Sequence, residues 1–294
     1  MNWYERFIAV DWGTTNRRAY AISGTTVTDS FEDDQGLLAV RAGGFSEATA
    51  VIAERLDSPN ILLAGMVGSN RGWADAGYVR APAGIADIAK AVHWVTPDVV
   101  GIVPGVRLEI SDRFDVMRGE EVQAFGAIVA GLVNPDALVC HPGTHTKWIE
   151  MANGSIKDFA TAMTGEIFSL LLKHSILAVQ GASGEGAQGA FLEGVDLAMR
   201  RRPLLDAIFE VRSRGLAGVL LDRDAASFLS GILIGSDVLA HAAERDDEVA
   251  LIGRPDLCTL YAAALEQAGR KARTIDGAAA FVAGMIAVRD RLIC

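Results

Sequence analysis

A chain of 294 residues, half of them hydrophobic, is about twice a typical domain length and has material for two cores. Its formal net charge of −10 repels nucleic acid and acidic membrane surfaces, so an anionic ligand has to be held by local arginines, lysines and backbone amides. The three cysteines, Cys140, Cys258 and Cys294, lie far apart with no C-x-x-C pair, which argues against a disulfide framework and a cysteine zinc site.

No apolar run reaches the roughly 18 residues needed to cross a bilayer. The N-terminus carries Glu5 and Arg6 where a secretory signal places its apolar segment, so the expected compartment is the cytoplasm.

The run 7–10 is apolar, 17–22 alternates, and Gly24-Thr25 separates that stretch from 27–31, which predicts a three-stranded meander. The first connection is not a two-residue turn. It reads Asp11-Trp12-Gly13-Thr14-Thr15-Asn16, small and hydroxylated residues placed where backbone amides can point outward. An amphipathic helix is expected over 46–56, with Ala48, Val51, Ile52 and Leu56 on one face, then a strand over 61–64. The glycine-rich stretch 65–73, followed by Tyr78, reads as a surface loop with ligand-contact chemistry. A helix over 85–92 leads to a strand over 99–103, stopped by Pro104-Gly105.

From about Asp115 the same grammar restarts, which puts a domain boundary near Ser111 and divides the chain into lobes of 1–111 and 112–294. The second lobe opens with a helix over 121–132, a strand over 138–140 and a loop His141-Pro142-Gly143-Thr144-His145. A hairpin follows, 147–151 with 156–161 around Asn153-Gly154. Helices and one clear strand, 249–252, complete the chain; Gly253 closes that strand and Pro255-Asp256 starts the next helix. Two lobes, each opening with a strand and a glycine-hydroxyl loop, predict an α/β fold of two related halves facing one cleft.

Asp11 stands at the end of a buried strand, where a carboxylate can hold magnesium directly or through water. Gly13 lets the backbone approach a phosphate, and Thr14 and Thr15 add hydroxyl donors, which suits a transfer that depends on positioning and charge neutralisation. A plain turn capped by Asp11 is the competing reading. The second loop repeats the Gly-Thr pair as Gly143-Thr144; Lys147 can place a point charge on a phosphate and His145 can donate to one. Pro142 and Gly143 disfavour zinc binding by His141 and His145, because they prevent a helical i, i+4 presentation.

Arg118-Gly119-Glu120-Glu121 puts two carboxylates at a helix start, where one can accept the proton of an attacking hydroxyl. Glu120 is the first choice, Glu121 the second, and an ordinary charged first turn the alternative. Arg17, Arg18, Arg71 and Arg118 are candidate carboxylate ligands, although Arg17 and Arg18 point to opposite faces of their strand, so at most one faces ligand. Trp73 and Tyr78 line a sugar pocket or pack the lobe, and Glu185 lies in a glycine- and alanine-rich loop that either flexes or is plain surface. Gly253 offers bare backbone to a base or ribose. There is no G-x-x-x-x-G-K-[ST], no G-x-G-x-x-G after the first strand and no G-x-S-x-G, so P-loop, Rossmann and hydrolase readings lose their support.

Three blocks carry a closer resemblance: Val10 to Ala19 around Asp-Trp-Gly-Thr-Thr-Asn, Ala64-Gly65-Met66-Val67-Gly68-Ser69 with Arg71-Gly72-Trp73, and Pro142-Gly143-Thr144-His145-Thr146-Lys147-Trp148 through Thr161-x-Met163-Thr164-Gly165-Glu166. In this order they resemble the 2-dehydro-3-deoxygalactonokinase family of the actin-like, sugar kinase and Hsp70 ATPase superfamily. The resemblance implies two RNase H-like lobes around a central cleft, and transfer of the ATP γ-phosphate, with magnesium, to the 6-hydroxyl of 2-dehydro-3-deoxy-D-galactonate in galactonate catabolism. It implies that 11–16 form a first phosphate loop, 143–147 a second and 251–253 an adenosine strand, and that Asn16, Arg18, Gly68, Ser69, Arg71, Trp73, Tyr78 and Arg118 surround the sugar acid. Gly119-Glu120 falls where related kinases carry Gly-Asp, so the glutamate is a departure. A kinase for another sugar or sugar acid, and a non-kinase actin-like binding module, are the alternatives; the implied partners are ATP and a small sugar acid, with a homodimer left open.

Overall fold

A computed structural model describes residues 3–177, 188–242 and 246–292, so Glu185 lies outside the described residues. The chain forms two compact units, one of Met1–Asp136, Ile149–Phe159 and Asp276–Cys294, the other of Ala137–Trp148 and Ala160–Ile275.

The first unit contains β1 (Phe7–Trp12), β2 (Arg17–Ser23), β3 (Thr26–Asp33), α1 (Phe45–Arg55), β4 (Ile61–Gly65), β5 (Tyr78–Arg80), α2 (Ile85–Lys90), β6 (His93–Thr96), β7 (Val100–Ile102), β8 (Gly105–Ile110), β9 (Arg113–Met117) and α3 (Glu120–Val129). Its main sheet has the order β3-β2-β1-β4-β7-β6, and β5-β8-β9 form a smaller one. β1 and β4 are buried almost throughout, which is why both read as unbroken apolar runs and not as alternating strands. Ile8, Val10, Trp12, Ile52, Leu63 and Ile102 are at the centre of this core.

The second unit contains β10 (Ala137–His141), β11 (Thr146–Ala152), β12 (Ser155–Ala162), α4 (Thr164–His174), α5 (Gln188–Met199), α6 (Leu204–Leu216), α7 (Ala225–His241), β13 (Val249–Ile252), α8 (Pro255–Gln267) and β14 (Ala272–Ile275), the outer part of the β11–β12 hairpin grouping with the first unit. Its sheet has the order β12-β11-β10-β13-β14. Leu138, Cys140, Trp148, Val195, Val238 and Leu251 fill the core beneath it.

The expected boundary near Ser111 falls in the turn of the β8–β9 hairpin, with Ser111 at φ 55°, and the first unit continues to Asp136. The last helix, α9 (Gly277–Leu292), returns to pack on α3 with Gly126 and Gly284 in the seam. A linear reading cannot show that return.

The two main sheets repeat one plan. β3-β2-β1-β4-β7 and β12-β11-β10-β13-β14 match strand for strand, with β1, β4 and β7 mutually parallel in the first and β10, β13 and β14 in the second. The loops after β1 and β4 therefore leave one end of the first sheet together, and those after β10 and β13 leave the equivalent end of the second. The C-terminal ends of neighbouring parallel strands are where open α/β sheets bind ligands. Among the described residues no helix is long and apolar enough to cross a membrane.

Candidate active site

β1 continues two residues past its apolar run. Asp11 and Trp12 therefore still belong to the ladder, opposite Arg18 and Arg17 of β2 and beside Ala64 and Gly65 of β4. The chain turns at Gly13, whose N–H donates to the Asn16 carbonyl over 3.0 Å. The carbonyls of Gly13, Thr14 and Thr15 accept from the N–H groups of Leu37, Leu38 and Gly36 at 2.9, 3.1 and 3.0 Å. Those acceptors are thus consumed by the protein, while Thr14, Thr15 and Asn16 stay exposed. Gly36 makes the buttress feasible: a Cβ there would lie 2.3 Å from the Thr15 carbonyl carbon.

Burial pushes the Asp11 carboxyl up to about 6, with Arg18 opposing and the negative charges of Glu120 and Glu32 adding to the rise. Arg18 shares Asp11's face, as directly opposed residues do, and bonds Glu32 at 3.0 Å; Asn16 also reaches Glu32. Arg17 faces the other way. It is buried, holds Asp33 at 3.1 and 2.6 Å and lies over the Trp12 ring at 4.9 Å.

The start of α3 stands against the ends of β1 and β4. Gly119 has φ 104°, and a Cβ on it would come within 3.3 Å of Gly65 Cα. Gly65 is itself at φ 91°, and a Cβ there would lie 2.8 Å from the Trp12 carbonyl and 3.6 Å from Asp11 Oδ1. The two glycines let the Glu120 turn come up beside Asp11. Glu120 is half-buried and its Oε2 accepts the Arg118 N–H at 3.1 Å. Glu121 is sealed: its Oε2 accepts the Gly119 N–H at 2.7 Å, its Oε1 has no hydrogen-bond partner, and burial, reinforced by the Glu120 charge, pushes its carboxyl up to about 8. The adjacent pair is thereby divided into one partly accessible carboxylate and one enclosed carboxyl that keeps its proton at neutral pH.

The Arg118 side chain is 4% exposed, donates to the Gly77 carbonyl at 2.9 Å, approaches Asp75 at 3.8 Å and stacks 4.4 Å from the Tyr78 ring centre. Its Nε and Nη1 have no hydrogen-bond partner, and Gly68 leaves room for Nη1, since a Cβ there would sit 2.9 Å away. Ser69 spends its hydroxyl proton on the Met66 carbonyl at 2.8 Å, and Arg71 is exposed on the same loop. Trp73 turns into the core and stacks on Phe45 at 6.5 Å, the packing reading of that residue. The first unit thus brings Asp11, the 13–16 turn, Arg18, Gly65, Gly68, Arg118, Tyr78, Glu120 and Glu121 into one neighbourhood.

In the second unit the loop after β10 lies beside Gly253, because β10 and β13 are parallel neighbours with Cys140 opposite Leu251. A Cβ on Gly253, at φ 155°, would lie 3.2 Å from the Pro142 carbonyl. The start of α4 closes the other flank. A Cβ on Gly165 would come within 2.5 Å of the Gly143 carbonyl, the Glu166 N–H donates to Thr144 at 3.0 Å, and Glu166 Oε2 meets His145 Nε2 at 2.5 Å. Thr144 and His145 are exposed, whereas Lys147 is buried with its Nζ 3.3 Å from the His145 carbonyl. Among the described residues no group of three or more His, Cys, Asp or Glu side chains is placed to hold a metal ion.

Two repeats of one five-strand plan, with small-residue loops leaving adjacent parallel strands, define an actin-like ATPase fold. The same fold occurs in the activator of the 2-hydroxyisocaproyl-CoA dehydratase from Clostridium difficile, solved with bound ADPNP, at a TM-score of 0.51 and 13% identity over 98% of this chain and 96% of that one. The chain belongs to the 2-keto-3-deoxy-galactonokinase family, which matches residues 11–288. It is 36% identical over 290 residues to the 2-dehydro-3-deoxygalactonokinase of Escherichia coli (strain K12), covering 95% of this chain and 96% of that protein. A crystal structure from Sinorhizobium meliloti, of a protein provisionally assigned the same activity, superposes with a TM-score of 0.87 at 34% identity over 98% of this chain and 99% of the other.

Proposed function

We propose that this chain transfers the γ-phosphate of ATP to the 6-hydroxyl of 2-dehydro-3-deoxy-D-galactonate, in the catabolism of galactonate. One observation carries the catalytic part of this reading: the Gly65–Gly119 contact sets Glu120 beside Asp11 at the end of β1. Glu120 accepts the proton of the attacking hydroxyl, since it is the partly accessible member of the carboxylate pair. Glu121, the second choice from sequence, is enclosed and serves instead to hold the Gly119 turn.

Thr14, Thr15 and Asn16 receive phosphate oxygens on the exposed side of the first turn and Thr144, His145 and Lys147 on the second; Gly13 and Gly143, whose N–H groups are turned to Asn16 and Thr146, let the backbone come close, with Gly253 toward the nucleoside. Arg118 takes the sugar-acid carboxylate, because its guanidinium has N–H groups without acceptors in a buried setting, an arrangement that costs stability until an acceptor arrives. Tyr78, 39% exposed, stacks on the face of that guanidinium and leaves the in-plane N–H groups to the carboxylate. Arg18, Gly68, Ser69, Arg71 and Trp73 form or support the remaining wall.

Asp11 would hold magnesium, directly or through water. A buried carboxyl with raised proton affinity gains from a cation, and magnesium needs only one or two protein carboxylates beside phosphate oxygens and water. When bound, the ion supplies neutralisation of phosphate charge. We take the compartment to be the cytoplasm, and the reading requires only one copy of the chain.

The test is ADP formation by the purified protein with ATP and magnesium, comparing 2-dehydro-3-deoxy-D-galactonate, its gluco epimer and no acceptor. Release of ADP that depends on the galacto acid supports the reading. Preference for the gluco epimer points to another sugar-acid kinase, and turnover indifferent to any acceptor points to an ATPase.

A further inference from the structure

Beneath the loop that follows β10 lies a buried polar cluster with no part in the roles above. Its centre is Asp237 on α7, only 6% exposed. Asp237 Oδ1 accepts from Trp148 Nε1 at 2.8 Å, and Oδ2 accepts from the hydroxyls of Thr164 at 2.8 Å and Tyr261 at 2.5 Å. The Tyr261 oxygen is also 2.9 Å from Thr146 Oγ1, toward which the Gly143 N–H points over 3.4 Å.

The proton count gives these bonds a direction. Tyr261 has one hydroxyl proton and gives it to the carboxylate, so Thr146 must donate to the tyrosine oxygen and accept from Gly143. Each donor is aimed toward Asp237. Burial raises the proton affinity of that carboxyl, and the three hydrogen bonds oppose the rise. His241, one turn further along α7, stacks on Trp148 at 5.5 Å and lies 3.7 Å from Oδ1.

The partners come from three elements, and each borders the loop. Thr146 and Trp148 open β11 where the loop ends. Thr164 begins α4, whose next two residues press on Gly143 and bond Thr144 and His145. Tyr261 is on α8, which starts just after Gly253. An apolar residue would fill the same volume, but it would not tie three elements into one register.

We propose that Asp237 is a positioning residue for nucleotide binding: through Tyr261–Thr146 on one flank and Thr164 on the other it fixes the backbone of Gly143, Thr144 and His145 in the form that receives phosphate. The inference rests on the reading of that loop as a phosphate loop.

Tyr261→Phe and Thr146→Val each cut the chain while keeping the packing, and Thr144→Ala tests the loop itself. Steady-state kinetics with ATP and the sugar acid, with thermal melts, should show KM for ATP raised about five-fold in either single variant, the size of one hydrogen bond. The double variant should be no worse than either single one, and KM for the sugar acid should be unchanged. If Thr144→Ala raises KM for ATP while Tyr261→Phe does not, Asp237 has no positioning role although the loop binds phosphate. If Thr144→Ala also leaves KM for ATP unchanged, the phosphate-loop reading itself fails. Parallel losses in both KM values together with a lowered melting temperature would mark the cluster as general packing and overturn the proposal.

Discussion

The backbone N–H of Gly119 donates to the carboxyl of Glu121 over 2.7 Å, from a turn at φ 104° to a side chain with no exposed surface. That bond fixes the direction in which the chain enters α3, and with it the placement of Glu120. Folding raises the Glu121 carboxyl from 4.5 to about 8, so between those values the folded state keeps a proton that the unfolded state has released. Stability from this group is therefore present below about pH 4.5 and is lost as pH rises toward 8, at about 1.4 kcal/mol for each tenfold change in proton affinity. Glu121→Gln keeps an oxygen for Gly119 and removes the ionisation. Calorimetry should show the variant gaining melting temperature over the parent at pH 8 and little at pH 5; equal differences at both would contradict an enclosed, protonated Glu121.

Glu120→Gln retains an acceptor for the Arg118 N–H and removes the proton acceptor for the substrate hydroxyl. It should lower kcat by about 10²- to 10⁴-fold while KM for ATP changes little. Full-rate turnover by this variant would end the assignment of Glu120 as the base.

Asp11, raised to about 6, should produce an acid limb in kcat/KM below about pH 6, where its carboxyl takes up a proton. Since magnesium and a proton compete for the same oxygens, more magnesium should move that limb to lower pH, and Asp11→Asn should abolish the shift and weaken magnesium-dependent activity. A magnesium titration with the same half-saturation in parent and variant would remove the ion from Asp11.

The two turns proposed to receive phosphate stood out because glycine and hydroxyl residues follow directly on apolar strands at Asp11 and His141, and the carboxylate pair because it opens a helix. The buttress of the first loop was not, since Gly36 acts on Thr15 through a close backbone approach that leaves no mark in either residue's neighbours. Asp237 gave no signal either: a lone aspartate in an apolar helix acquires meaning only when Trp148, Thr164 and Tyr261 fold around it. β5, β6, β8, β9 and β14 were passed over because they are three to six residues long and several carry polar or exposed side chains, as in Phe114 and Val116 of β9. The pattern that restarts at about Asp115 does not mark the edge of a unit: Ser111 lies in the β8–β9 turn, and the first unit runs on through α3 to Asp136 before α9 joins it from the far end of the chain.

The identity of the product, read by ³¹P and ¹H NMR after incubation with ATP, magnesium and 2-dehydro-3-deoxy-D-galactonate, decides whether the phosphoryl group reaches the 6-hydroxyl. One phosphomonoester coupled to the two C6 protons, formed in step with ADP, is the predicted result. ADP accompanied by inorganic phosphate and unmodified sugar acid would contradict it.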